Sequence, residues 1–177
     1  MKLFRCDGFA DAEACVRIRR AMDEGEVEPA EVLAEEPVEE AEVRSAASIE
    51  VDESVLALVE VTLEQSRDAL SAFFGLDLAS REGPGFLCYS EGGFYKSHRD
   101  RAETSAWPDA ARRQLTLVLF LNDNFEGGEL RLSPDGAQPI LIQPRTGTLV
   151  AFDAGVVHEV LPVAAGRRYT VVDWWLG

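Results

Sequence analysis

Apolar residues recur at helical spacing in the first half of the chain and at alternate positions in the second. Between Asp11 and Gly25, the residues Cys15, Ile18 and Met22 fall on one face, which predicts a helix over residues 12–23. Asp11 suits its cap and Gly25 its stop. A second stripe, Val55, Leu58, Val59, Leu63, Leu70 and Phe73, predicts one longer helix over residues 53–74, capped by Asp52 and followed by Gly75. A short strand is expected at residues 46–51. Beyond Gly83, Pro84 and Gly85 the period falls to two. Strands are expected at residues 86–90, 115–121, 129–132, 140–142, 148–152 and 169–175, with turn residues between them.

The alternation is sharpest at residues 115–121. Thr116, Val118 and Phe120 share one face, while Leu115, Leu117, Leu119 and Leu121 share the other. The leucine face predicts packing beneath the helices, which leaves the Thr116 hydroxyl directed into the barrel. Helices first and short antiparallel strands second imply a mainly β sandwich or barrel, with the N-terminal helices on the outside of one sheet.

Length and composition narrow the picture. The 177 residues, 46% of them hydrophobic, suffice for one domain with one sizeable core. We divide it into a helical support region, 1–83, and a β core, 84–177. The net charge of −15 is concentrated, because residues 23–53 hold thirteen acids against the single base Arg44. Within this stretch, residues 24–42 form an acidic connector broken by Pro29 and Pro37. It reads as a solvated segment, with a lid over the site as the alternative. Acidity excludes non-specific nucleic-acid binding, which needs Lys and Arg against phosphates. No apolar run is long enough for a signal peptide or a membrane span, and three cysteines without metal-type spacing suit a reducing cytoplasm.

The candidate chemistry lies in the only two histidines, His98 and His158. His98 and Asp100 are two residues apart, so on an extended strand their side chains leave one face. With His158 they would form a two-imidazole, one-carboxylate cap that leaves metal positions open, the arrangement suited to non-heme Fe(II). Asp153 and Asp173 lack a paired histidine and read as turn or surface residues. Ten residues past His158 stands Arg168, a permanent cation whose planar fork suits a carboxylate. On a strand, Arg168, Thr170, Val172 and Trp174 share a face, and the neighbouring Arg167 must point the other way. Lys96, Arg99, Arg101, Arg112 and Arg113, with Trp107 and Pro108 among them, form a basic segment beside His98. It reads either as a solvated loop or as a grip for a peptide or an anionic small molecule.

Longer stretches carry a family resemblance. Residues 89–100 read Tyr-Ser-Glu-Gly-Gly-Phe-Tyr-Lys-Ser-His-Arg-Asp, and residues 113–122 read Arg-Gln-Leu-Thr-Leu-Val-Leu-Phe-Leu-Asn. They are followed by Gly127, Gly128, Glu129 and Leu130, and by the run from His158 to Tyr169. In this order the chain, from about residue 84 to its end, resembles the prolyl 4-hydroxylase branch of the Fe(II)- and 2-oxoglutarate-dependent dioxygenases. The resemblance implies a double-stranded β-helix (a jelly roll, cupin-like). It implies Fe(II) on His98, Asp100 and His158, with 2-oxoglutarate and O2 as co-substrates and ascorbate as an auxiliary reductant. Arg168, Thr116 and Tyr89 are the implied 2-oxoglutarate residues. Phe120 departs from oxygen-sensing relatives that carry a tyrosine there, which would leave Thr116 and Arg168 to hold the distal carboxylate. The implied reaction hydroxylates a prolyl residue of a protein or peptide and releases succinate and CO2. A small-molecule hydroxylase and a non-catalytic cupin-like sensor are the alternatives.

Overall fold

The computed structural model describes residues 1–30, 43–102 and 108–177. In chain order its first elements are β1 (Leu3–Cys6), α1 (Ala12–Glu24), β2 (Glu26–Pro29), β3 (Arg44–Ser45), β4 (Ala47–Glu50), α2 (Glu53–Glu64) and α3 (Arg67–Phe74). Next come β5 (Ser80–Arg81), β6 (Gly85–Tyr89), β7 (Phe94–His98), a 3-10 turn at Pro108–Arg112 and β8 (Arg113–Phe120). The chain ends with β9 (Glu126–Gly127), β10 (Leu130–Ser133), β11 (Ile140–Ile142), β12 (Leu149–Asp153), β13 (Val157–Val160), β14 (Val163–Ala165) and β15 (Arg168–Leu176).

Helix α1 starts where expected, because the Asp11 carboxylate accepts the Ala14 N–H at 2.7 Å. Gly25 ends it for a different reason than the left-handed stop anticipated. Its φ of −80° is open to any residue, but a Cβ there would lie 2.1 Å from the Glu50 carbonyl oxygen. The single helix expected over residues 53–74 is two. At the break, Gln65 and Ser66 donate to carbonyls only three residues back, and the Ser66 hydroxyl competes for the Leu63 carbonyl at 2.6 Å. Val55, Val59, Leu63 and Leu70 remain buried, whereas Phe73 is 42% exposed and meets Phe4 edge-on.

Eight strands form the major sheet in the order β1-β12-β8-β15-β6-β4-β2, with β5 attached to β15. Five form a minor sheet in the order β11-β10-β13-β7-β3, and β9 pairs with β14. Every pairing is antiparallel. The helices cover the outer face of the major sheet: Cys15, Ile18, Met22, Val59 and Leu63 pack with Leu115, Leu117, Leu119 and Leu121. Val118 and Phe120, on the opposite face of β8, pack between the sheets with Leu130, Leu132 and Phe152. The alternation along β8 therefore divides an outer core from an inner one.

Two further expectations change. The acidic connector begins as a strand, β2, because residues 26–29 pair with β4. The rest of it, residues 31–42 with Pro37, lies outside the described residues, as does its reading as a lid; so does Trp107. Asp173, expected at the surface, is fully buried against the helical side of β15. It ion-pairs with Arg81 and accepts N–H bonds from Gly83 at 3.0 Å and Trp174 at 2.7 Å. Asp153 is exposed. All three cysteines are free, and no helix among the described residues is long and apolar enough to cross a membrane.

Candidate metal and co-substrate site

Strand pairing brings the two histidines together, since β13 runs beside β7 with His158 directly opposite His98. Asp100 joins them by a bend rather than by the pleat that the His-x-Asp spacing suggested. The strand ends at His98, and the N–H groups of Asp100 and Arg101 both donate to the Ala154 carbonyl, at 3.0 and 2.9 Å. The ligand-type atoms of His98, Asp100 and His158 all lie within 4.8 Å of one another.

The rings are oriented from behind. His98 Nδ1 lies 2.8 Å from the Lys96 carbonyl and His158 Nδ1 2.9 Å from the Val156 carbonyl. A proton on each Nδ1 makes those bonds and turns the Nε2 lone pair inward. His98 Nε2 then faces Asp100 Oδ1 at 3.5 Å, and His158 Nε2 faces Oδ2 at 3.4 Å. Tyr95 stacks on His98 with centroids 3.5 Å apart, and Phe152 meets His158 edge-on at 5.0 Å. Burial would raise the Asp100 pKa, but the two imidazoles hold it well below the usual carboxylate range. Burial lowers the His98 pKa; at His158 it is outweighed by Asp100, and the pKa rises. Two inward lone pairs around a retained carboxylate fit a divalent cation of the Fe(II) type.

Arg168 enters the same cavity from the start of β15. It is 1% exposed, lies opposite Tyr89 of β6, and has its guanidinium 4.9 Å from the Tyr89 ring centre and 5.3 Å from that of Phe120. Nη1 donates to the Thr170 hydroxyl at 3.2 Å, and Nε has no partner among the described residues. No carboxylate pairs with it among the described residues, and burial pushes its pKa down to about 10. A buried cation without an anion is costly, so this one fits a carboxylate-bearing ligand. Arg167, one residue away, is 63% exposed and 3.8 Å from Asp23, on the opposite side as strand parity requires.

Thr116 faces the cavity, yet its hydroxyl donates to Asp100 Oδ2 at 2.6 Å instead of standing free for 2-oxoglutarate. With Tyr89, His98, Asp100, His158 and Arg168 it lines one cavity of about 600 Å³. The basic segment does not reach into this space as a group. Arg99 binds the Gly155 carbonyl, Arg101 the Arg113 and Gln114 carbonyls, and Arg112 the Gly177 carbonyl. Arg113 alone among these arginines lines the cavity, with Glu82 and Trp174 beside it. The sequence reading missed Glu82, Tyr95 and the separate role of Arg113. Strand parity could not have found Arg113, because an odd-numbered residue of β8 belongs to the leucine face; the register shift at its pairing with Leu176 breaks that alternation, and Arg113 lines the cavity.

Comparison with known proteins agrees with this geometry. The family model of the 2OG-Fe(II) oxygenase superfamily matches residues 84–176. A PKHD-type hydroxylase of Synechococcus sp. (strain JA-2-3B'a(2-13)) is 33% identical over 90 residues, covering 49% of this chain and 39% of the relative. One from Saccharophagus degradans is 31% identical over 122 residues, covering 66% of this chain and 52% of the relative. The aligned stretch thus spans about half or less of these relatives. Among solved structures, a Pseudomonas putida prolyl-4-hydroxylase superposes with a TM-score of 0.77 at 26% identity, covering 98% of this chain and 91% of the other. A Trichoplax adhaerens prolyl hydroxylase, in complex with a hypoxia inducible factor peptide fragment, gives a TM-score of 0.78 at 20% identity and covers 98% and 83% of the two chains. The likeness to these oxygenases identifies the two facing sheets as a double-stranded β-helix. With its β core matched from end to end, the chain belongs to the 2OG-Fe(II) oxygenase superfamily, whose cofactors are Fe(II), 2-oxoglutarate and O2.

Proposed function

We propose that this protein hydroxylates a C–H bond of a prolyl residue in a protein or peptide. One oxygen atom of O2 enters the substrate, and the other leaves in succinate as 2-oxoglutarate loses CO2. The observation that carries the reading is Arg168, a buried cation with no carboxylate partner among the described residues, in one cavity with His98, Asp100 and His158. In this reading the histidines bind the metal through Nε2 and Asp100 binds it through a carboxylate oxygen. When bound there, Fe(II) supplies the O2 activation that couples the decarboxylation to hydroxylation.

The chain's own groups bind and orient. Arg168 would hold the distal carboxylate of 2-oxoglutarate, with Thr170 and the Tyr89 ring orienting the guanidinium. Thr116 holds the Asp100 carboxylate by its Oδ2. Leu130, Val160 and Val172 add apolar lining to the cavity, which limits the water that competes for these contacts. Support for a prolyl substrate comes from the prolyl-4-hydroxylase and peptide-complex neighbours and from the PKHD-type relatives. Three free cysteines suit a reducing cytoplasm.

The test is turnover with Fe(II), 2-oxoglutarate and ascorbate, using proline-containing peptides in one arm and free proline with other amino acids in the second. We expect succinate to form together with a one-oxygen mass gain on a prolyl residue of the peptide. Product only in the second arm would assign a small-molecule hydroxylase. No consumption of 2-oxoglutarate in either arm would favour a non-catalytic metal module.

A further inference from the structure

We infer that Glu82 and Arg113 form a positioning pair that holds the main chain of Asp100 and balances the charge beside the metal position. The inference rests on the assignment of His98, Asp100 and His158 as ligands. Arg113 is 5% exposed. Its Nε donates to Glu82 Oε2 at 2.6 Å, and Nη2 donates to Oε1 of the same carboxylate. Its Nη1 donates to the main-chain carbonyl of Asp100 at 3.1 Å. The Trp174 ring lies across the guanidinium, 3.8 Å from Cζ. All three nitrogens of the fork therefore have partners. Glu82 is itself fixed to the neighbouring strand, since its N–H donates to the Trp174 carbonyl at 3.0 Å.

Two consequences follow for the metal site. Asp100 lies past the end of β7, so no sheet ladder holds its backbone. Its N–H is anchored on Ala154 and its carbonyl on Arg113, and both tethers set where the carboxylate points. The second consequence is electrostatic. Arg113 alone would place a buried positive charge next to a site for a divalent cation, where a low dielectric makes repulsion strong. The Glu82 carboxylate cancels that charge. Without it, the guanidinium would seek the next anion within reach, and the carboxylate of Asp100 is adjacent to the carbonyl it already holds. Glu82 thus acts on the metal through Arg113, without contact to the ligand atoms.

The experiment is anaerobic Co(II) titration of the full chain, read by the d–d absorption band, with thermal unfolding recorded in parallel. Glu82→Gln should weaken Co(II) binding by about 10-fold or more, the usual effect of losing an outer partner of a metal ligand, and should shift the band. Glu24→Gln, which breaks the exposed Arg20–Glu24 pair at the end of α1, should leave affinity and band unchanged. Should Glu82→Gln not fold, the double variant Glu82→Gln/Arg113→Gln leaves no charge unpaired. Its affinity should still fall, because the tether to Asp100 is lost. Wild-type affinity and band in Glu82→Gln, or in the double variant, would overturn the inference, even with a lowered melting temperature. His98→Ala in the same titration should abolish the band. Retention of wild-type binding in that variant would instead defeat the ligand assignment, and this inference with it.

Discussion

The hydroxyl of Thr116 lies 2.6 Å from Oδ2 of Asp100, at the point where β8 passes beneath the bend that follows β7. A hydrogen bond to a charged acceptor contributes about 1.5–3 kcal/mol, and this one selects a single orientation of the carboxylate. Thr116→Val keeps the side-chain shape and removes the donor. We expect weaker Fe(II) binding, by about 10-fold, with 2-oxoglutarate affinity little changed once the metal is saturating. A variant with intact metal affinity and impaired 2-oxoglutarate binding would return Thr116 to the co-substrate role that the family resemblance implies.

The ligand assignment predicts that His98→Ala and His158→Ala each lose stoichiometric Fe(II). Other divalent ions should compete in the wild type, because affinity order among first-row metals does not itself select iron. Metal analysis of the purified variants is the check. Unchanged stoichiometry in both would place the metal elsewhere.

Arg168→Ala should weaken 2-oxoglutarate binding far more than metal binding. Truncating one partner of a buried charge pair costs about 2–5 kcal/mol, which corresponds to roughly 30-fold or more in Kd. Arg167→Ala removes only an exposed contact with Asp23 and should matter little. Isothermal titration of 2-oxoglutarate into each Mn(II)-loaded variant ranks the two, and the reverse ranking would refute the inward placement of Arg168.

Metal binding should release protons. Asp100 raises the His158 pKa despite burial, so the metal-free protein keeps its proton on that ring to higher pH than an ordinary histidine does. A histidine must lose that proton before Nε2 can bind a metal. Apparent affinity should therefore rise with pH through the raised value and fall as the solution is acidified. Asp100→Asn removes the charge that outweighs burial, so the His158 pKa should drop. Calorimetry in buffers of different ionisation enthalpy measures the proton count, and a count of zero in the wild type would contradict this account.

What the sequence determined by itself is whatever depends on short-range periodicity. The split between helices and strands, the two faces of β8 and the opposite orientations of Arg167 and Arg168 follow from periods of 3.6 and 2, which adjacent residues fix. The two histidines and the spacing around them were also legible, because so few residues of that chemistry compete. Tertiary structure decided the rest. His98 and His158 meet only because β7 and β13 pair, although the two residues stand 60 positions apart in the chain, and Asp100 reaches them through a bend anchored on Ala154. That the Thr116 hydroxyl meets Asp100 depends on the distance between β8 and that bend, which no local pattern encodes. Arg113 looked like one member of a basic loop until its partner, Glu82, was brought to it from 31 residues upstream. Asp173 was misplaced for the same reason, since the charge that allows its burial comes from Arg81, 92 residues away in the chain. A buried charge is stable only beside its counter-charge. Local patterning gives the face on which a side chain emerges, and only the folded topology supplies what it meets there.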